Sequence, residues 1–240
     1  MAETGHARNI EHFSQLISFC QGYGATYNPT NGDLTVVKLQ ALLTTAQANV
    51  ASVATAVAPW KTAVNARENA FDGIRKLTTR VVNAFAASGA PANVIKDAKG
   101  LQKKINGARV KALPKDDPTT PVDESAGISV SQQSYTQLVD HFDNLIQLLT
   151  ANGYNPNETD IKLAPLNTLS ASLKTVNTGV ATAFTPLSNA RITRDSTMYF
   201  GTKNLVDRAS LVKAYVKSVF GGGSPQYKQV SGLEFRRPRA

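Results

Sequence analysis

The sequence of 240 residues is poor in the residue types that most catalytic and metal sites require. It contains one cysteine, Cys20, so no disulfide can form within the chain, and three histidines, His6, His12 and His141. No Cys-x-x-Cys or His-x-x-x-His pair is present, whereas a metal site needs several ligands at such spacings. We therefore predict no catalytic, cofactor-binding or metal-binding residues, and a protein that is not an enzyme.

Long hydrophobic runs are also missing. No stretch approaches the ~18 uninterrupted apolar residues of a membrane-spanning helix, and the first residues, MAETGHARNIEH, lack the basic and then apolar pattern of a secretory signal. These absences predict a cytoplasmic protein without a transmembrane segment. Aromatic residues make up only 7% of a chain that is 42% hydrophobic, so its apolar residues are mainly Ala, Val and Leu. That composition favours slim, closely packed helices and predicts an all-α fold.

The sequence does contain an internal repeat. A shift of 127 positions aligns residues 27–67 with residues 154–194 without a gap, and 13 of these 41 positions are identical. At the start of this alignment YNPTNGD recurs as YNPNETD. A shift of 129 positions matches two upstream pairs, His12-Phe13 with His141-Phe142 and Leu16-Ile17 with Leu145-Ile146. We predict an internal duplication that forms two related antiparallel helical bundles, each with three long helices plus a short one.

The stretch ALPKDDPTTPVDESAG, residues 112–127, separates the two copies. It contains three prolines and four acidic residues, which is typical of an exposed linker. The predicted organisation is therefore a first bundle over residues 1–111, a linker over residues 112–127, and a second bundle with a basic tail over residues 128–240.

Apolar residues at helical spacing predict the elements of each copy. The first helices cover about residues 8–21 and 131–151, the third helices about residues 70–87 and 196–220, and a short fourth helix about residues 94–105. The second helices begin after the repeated loops. The loops lack the alternating acidic ligands of a calcium-binding loop, so turn formation explains them, and their last residues are predicted N-caps: Asp33 and Asp160. Two prolines are predicted to kink or end the second helices: Pro59 and Pro186.

Positive charge is concentrated in the last part of the chain. The formal net charge is +9, and residues 191–240 hold 10 basic and 3 acidic residues. Aromatic residues lie between these cations, and such a pattern can bind phosphate groups and stack on bases, although lysines also form the wet face of many helices. The candidate residues for binding an anionic partner are Lys213, Lys217, Lys228, Arg236, Arg237 and Arg239.

Three segments carry a family resemblance: LSNARITRD (residues 187–195), KAYVKSVFGGGSPQYKQVSGLEF (residues 213–235) and TRVVNAFAASGAPANVIKDAKGLQKKINGAR (residues 79–109). They resemble segments of uncharacterised tandem-repeat helical proteins from bacteria of the Bacteroidota. The resemblance covers most of the chain and implies a bacterial source and an all-helical fold. It implies no activity, ligand or catalytic residue.

The leading functional prediction is a non-enzymatic structural or protein-interaction helical repeat protein, whose partner is a protein, either itself or another. The second helices are rich in Ala, Thr and Ser, which permit close approach of another helix. The alternative is a basic helical protein that binds nucleic acid or an anionic surface through its C-terminal segment. A third class is a membrane-active helix that exposes the apolar face of residues 36–57 to lipid.

Overall fold

The computed structural model describes residues 4–107 and 133–238, and these residues form helices and turns with no strand. The predicted all-α fold is confirmed, whereas the predicted linker lies outside the described residues. Short 3₁₀ turns cover Gly24–Thr26, Gly32–Leu34 and Thr159–Ile161, and a π turn covers Ser196–Phe200. The α-helices are α1 (Thr4–Gly22), α2 (Val36–Phe71), α3 (Ile74–Ala87), α4 (Ala92–Asn106), α5 (Tyr135–Ala151), α6 (Leu163–Asp195), α7 (Leu205–Phe220) and α8 (Pro225–Ser231).

Several helix ends follow from local side-chain chemistry. Ser134, Asn204 and Ser224 cap α5, α7 and α8, because each side-chain oxygen accepts a hydrogen bond from a backbone amide of the first turn. At the other end of a helix, α4 stops at Gly107, whose φ of 67° lies in the left-handed region that glycine adopts without strain.

The predicted N-caps of the second helices are wrong. Because α2 begins at Val36 and α6 at Leu163, Asp33 and Asp160 lie inside the preceding 3₁₀ turns. The Asn31 Oδ1 atom instead accepts a hydrogen bond from the backbone amide of Asp33. The two aspartates therefore have carboxylates free to contact side chains elsewhere in the fold.

The second helices do not end at their prolines. α2 has 36 residues and contains Pro59, and α6 has 33 residues and contains Pro186. Both prolines are exposed. A proline removes one backbone hydrogen bond, and water can hydrate the carbonyl that is freed on an exposed face.

The chain divides into two compact units. Unit 1 contains Met1–Trp60 and Ala183–Ala240, and unit 2 contains Lys61–Thr182. The core of unit 1 packs residues of α1 such as Phe13 with residues of α7 such as Val212. The core of unit 2 packs residues of α5 such as Phe142 with residues of α3 such as Phe85.

Each unit combines helices from both halves of the sequence. α1 contacts α7 and α8 in unit 1, and α5 contacts α4 in unit 2. At 1.5 Å per residue α2 and α6 are each about 50 Å long, and each begins in one unit and ends in the other. The compact units therefore have other boundaries than the predicted bundles over residues 1–111 and 128–240.

Candidate functional site

The segment that follows α8, residues 232–238, is called the tail here, and its main chain is held on α1. The Asn9 side-chain amide donates to the Arg236 carbonyl oxygen at 2.7 Å, and the Arg236 N–H donates to Asn9 Oδ1 at 3.0 Å. The His12 Nδ1 atom lies 2.7 Å from the Glu234 carbonyl oxygen. These contacts involve backbone atoms of the tail, so they hold its main chain on α1.

Two of the predicted anion-binding residues, Lys213 and Arg237, link this tail to the rest of the fold, whereas the side chain of Arg236 pairs within the tail. Arg237 donates to the Tyr199 carbonyl oxygen at 2.7 Å and also pairs with Asp207. The Arg236 guanidinium lies 3.3 Å from the Glu234 carboxylate. The Lys213 ammonium donates to the Leu233 carbonyl oxygen. It also lies 5.3 Å from the centre of the Phe235 ring. Burial lowers the pKa of Lys213.

The other predicted cations lie apart from the tail. Lys217 on α7 is 5.6 Å from the centre of the Tyr227 ring on α8, and Lys228 is exposed in the last turn of α8. Arg239 lies outside the described residues. Lys213, Lys217, Arg236 and Arg237 thus make contacts within the chain, and binding of an anionic partner by this segment stays a prediction.

The repeated loops bind the third helix of the other half of the chain. In unit 1 the Asp33 carboxylate lies 2.8 Å from the Arg208 guanidinium and 2.9 Å from the Lys203 ammonium. In unit 2 the Asp160 carboxylate lies 2.6 Å from the Arg80 guanidinium. Arg208 is buried, and this burial lowers its pKa. The role of the loop aspartates is therefore ion pairing between the halves of the chain.

The titratable residues that the sequence singled out are packing groups. Cys20 is buried, and burial raises the pKa of its thiol to about 11, so the thiol stays protonated at neutral pH. His141 is also buried, its Nε2 has no hydrogen-bond partner, and burial lowers its pKa. Within residues 4–107 and 133–238, no group of three or more His, Cys, Asp and Glu residues could hold a metal ion.

An open groove of about 720 Å³ lies between α1 and α2 in unit 1. Every third or fourth residue of α1 faces the core, among them Phe13 and Leu16, so the opposite face of this helix remains open to water. Among the described residues that line the groove, Glu11 is the only charged one. The small or apolar lining residues are Ala7, Ile10, Ser14, Ser18, Val50, Ala51 and Ala54.

The corresponding helices of the second half are joined by polar side chains. In unit 2 the Lys174 ammonium on α6 lies 2.5 Å from the Asp143 carboxylate on α5. The Asn177 amide on α6 donates to the Thr136 hydroxyl on α5 at 3.1 Å. These contacts bridge the outer faces of α5 and α6.

At the repeat distances the first half has residues that cannot make the same bridges. Ala7 and Val50 stand where the second half has Thr136 and Asn177, and neither has a side-chain donor or acceptor. Ser14 and Gln47 stand at the positions of the ion pair, and neither is charged. The polar bridges are therefore a difference between the two halves, and the repeat alignment contained a signal for this difference that sequence reasoning missed.

The exposed surface of α2 is uncharged over a long distance. Between Lys38 and Lys61 the sequence has no charged residue. The region Val36–Ala87 includes a window of mean hydropathy 1.3 of which 11% is buried. By length and composition alone it could cross a membrane, a criterion that core helices of soluble proteins also meet. The absence of a transmembrane segment stays a prediction.

Comparison with known proteins adds no family to this picture. No family model, curated protein or solved structure matches the chain. The groove is therefore interpreted from its own residues.

Proposed function

We propose that the protein is a non-enzymatic interaction protein that binds a protein partner through the α1–α2 face of unit 1. The observation that carries this proposal is the lack of charge on this face: α2 has no charged residue between Lys38 and Lys61, and Glu11 is the only charged described residue in the groove lining. Charged residues are depleted at the centres of protein interfaces, where they would lose their hydration.

A helix of a protein partner is the occupant that we propose for the groove. Two helices packed side by side leave a channel into which the side-chain ridge of a third helix fits. Ala7, Ser14, Ala51 and Ala54 have short side chains, so the backbone of an incoming helix can approach closely. The half-buried Val50 supplies an apolar surface that the partner would remove from water.

The proposal includes an internal duplication, with two related antiparallel bundles. Burial supports it, because Phe13, Leu16 and Leu39 are buried at positions whose counterparts in the second half are also buried: Phe142, Leu145 and Leu166. After a duplication the copies can diverge. In this proposal the second copy keeps the polar bridges between its first two helices, and the first copy uses the same face for binding.

A pair of matched variants tests the proposed function. Ala51 in the groove and Thr178, 127 residues later on α6, are both exposed, so glutamate at either position is compatible with the fold. We expect tagged full-length Thr178→Glu protein to capture the same partner as the wild type, and Ala51→Glu protein to lose it. Circular dichroism checks that both variants are equally helical. Capture that is unchanged by Ala51→Glu would remove the groove as the interaction surface.

A further inference from the structure

We infer that the α3–α4 hairpin of unit 2 binds the phosphate backbone of double-stranded nucleic acid. The surface concerned is called the basic face, and it is formed by four lysines of the two helices: Lys76, Lys96, Lys99 and Lys103. None of these residues lines the groove of unit 1, so the inference does not depend on the proposed function.

The hairpin carries a large share of the positive charge of the chain. Residues 75–107 contain seven basic residues and one acidic residue, Asp97, which gives +6 of the formal net charge of +9. The basic residues are Arg75, Lys76, Arg80, Lys96, Lys99, Lys103 and Lys104. An excess of one sign on a small surface attracts a polyanion and raises its rate of association.

The cations of the hairpin are available to a partner, because all seven are exposed. Within residues 4–107 and 133–238, the only ion pair that any of them forms joins Arg80 to Asp160. The cations near the end of the chain differ, since Arg237 pairs with Asp207 and Lys213 donates to a backbone carbonyl. A phosphate on the basic face would therefore not have to displace an internal carboxylate.

The lysines of α4 lie on one side of the helix. Because an α-helix turns by about 100° per residue, positions 96, 99 and 103 fall within about 60° of one another. They are turned away from the buried Ala98 and Ile105, which face the core of unit 2. At 1.5 Å per residue they extend for about 10 Å, which corresponds to about three base-pair steps of 3.4 Å along one strand.

Lys76 on α3 extends the row of lysines across the hairpin. The Gln102 side-chain amide on α4 donates to the Thr79 hydroxyl on α3 at 3.0 Å, so the two helices lie side by side at this level. Lys76 is one turn before Thr79, and Lys103 follows Gln102 directly. Lysines of both helices thus flank a polar pair, and together they form a surface of one sign.

The basic face lacks the residues that other anionic partners require. No large hydrophobic residue is exposed within residues 74–106, whereas a helix that lies on a membrane buries apolar side chains in it, and protein interfaces have buried aromatic or arginine anchors at their centres. Phe85, the only aromatic residue in this range, is fully buried, so the bases of a single strand would have no exposed ring to stack on. The phosphates of a duplex can be bound by lysines as point charges, without either kind of residue.

Fluorescence anisotropy of short labelled DNA and RNA duplexes, titrated with the full-length chain, tests the inference. The two duplexes share the phosphate backbone, and the more tightly bound one identifies the nucleic acid. If three or four phosphates are contacted, the association constant should fall by about 40- to 150-fold between about 50 and 200 mM salt.

Two variants with the same net charge show whether the basic face is responsible. The hairpin variant combines three substitutions on α4: Lys96→Gln, Lys99→Gln and Lys103→Gln. The control combines three exposed lysines elsewhere: Lys38→Gln, Lys61→Gln and Lys228→Gln. The hairpin variant should bind the preferred duplex at least about tenfold more weakly at low salt, and its log–log salt slope should be smaller by about one for each lysine removed. The control should bind like the wild type.

Circular dichroism checks that both triple variants remain as helical as the wild type. A wild-type chain that binds neither duplex would overturn the inference, and so would a hairpin variant that binds as well as the control. Binding of phosphatidylserine vesicles without binding of either duplex would identify a membrane as the partner and would also overturn it.

Discussion

The substitution Asp33→Asn tests how the first repeated loop is anchored to α7. The Arg208 side chain is 8% exposed and lies 2.8 Å from the Asp33 carboxylate, whose side chain is 35% exposed. Asparagine keeps the size of the side chain and removes its charge. The buried guanidinium then loses its counter-charge, whereas Lys203, the second partner of Asp33, is 68% exposed and remains hydrated.

The expected loss of stability follows from this burial. Removal of one partner from a fully buried ion pair costs about 3–5 kcal/mol. Because Asp33 is partly hydrated, we expect the free energy of unfolding to fall by about 2 kcal/mol, which corresponds to about 4–8 °C in Tm for a chain of this size.

The matched control is Asp160→Asn in the second repeated loop. Asp160 and Arg80 lie 2.6 Å apart, but each side chain is 56% exposed, so water already solvates both charges and the loss of stability should be much smaller. Urea unfolding followed by circular dichroism measures both variants against the wild type. Equal losses in the two variants would refute the reasoning, because burial of Arg208 would then not determine the effect.

Three further predictions concern other contacts. Burial lowers the pKa of His141 below its usual value. As the pH is lowered from about 7 to 5, the unfolded chain therefore binds a proton more readily than the folded chain, and the free energy of unfolding decreases. This fall should be smaller in His141→Gln than in the wild type, as measured by urea midpoints. Arg237→Ala, which removes the contact with the Tyr199 carbonyl, should speed hydrogen exchange of the Arg236 amide by about tenfold, and an unchanged rate would contradict the anchoring role. Cleavage of the chain at a protease site placed between residues 107 and 133 should leave the two fragments associated, since both cores draw buried residues from both halves; separately folded fragments in native gel filtration would contradict it.

Periodic features of the sequence predicted the fold class and the first helix of each half, whereas the predicted helix over about residues 196–220 is a π turn followed by α7. The apolar spacing around Phe13 and Phe142 predicted α1 and α5, because it repeats within one helix and needs no information about partners. The N-caps of the second helices were mispredicted because the preference of aspartate for N-caps takes account only of neighbouring residues in the sequence. The carboxylate of Asp160 instead contacts Arg80, which is 80 residues away.

The basic tail shows why composition alone did not identify the site. Cations between aromatic residues are typical of nucleic-acid binding, and they are equally suited to contacts inside a protein. Lys213 lies over the Phe235 ring, so this pattern is used here to hold the tail on the fold. Whether the cations bind a partner or the fold depends on where the tail lies. The Asn9 amide, from a distant part of the sequence, holds the tail on α1.

The groove and the tail are linked through α1. In unit 2 the outer face of α5 is joined to α6 by side-chain bridges such as that between Asp143 and Lys174. In unit 1 the corresponding face of α1 has no such ion pair, because Ser14 is uncharged, but α1 is also held by the tail through Asn9 and His12. Asn9 is buried on the core side of the helix, away from the groove. The tail secures α1 from one side, so binding at its other side, as in the proposed function, does not require the helix to loosen.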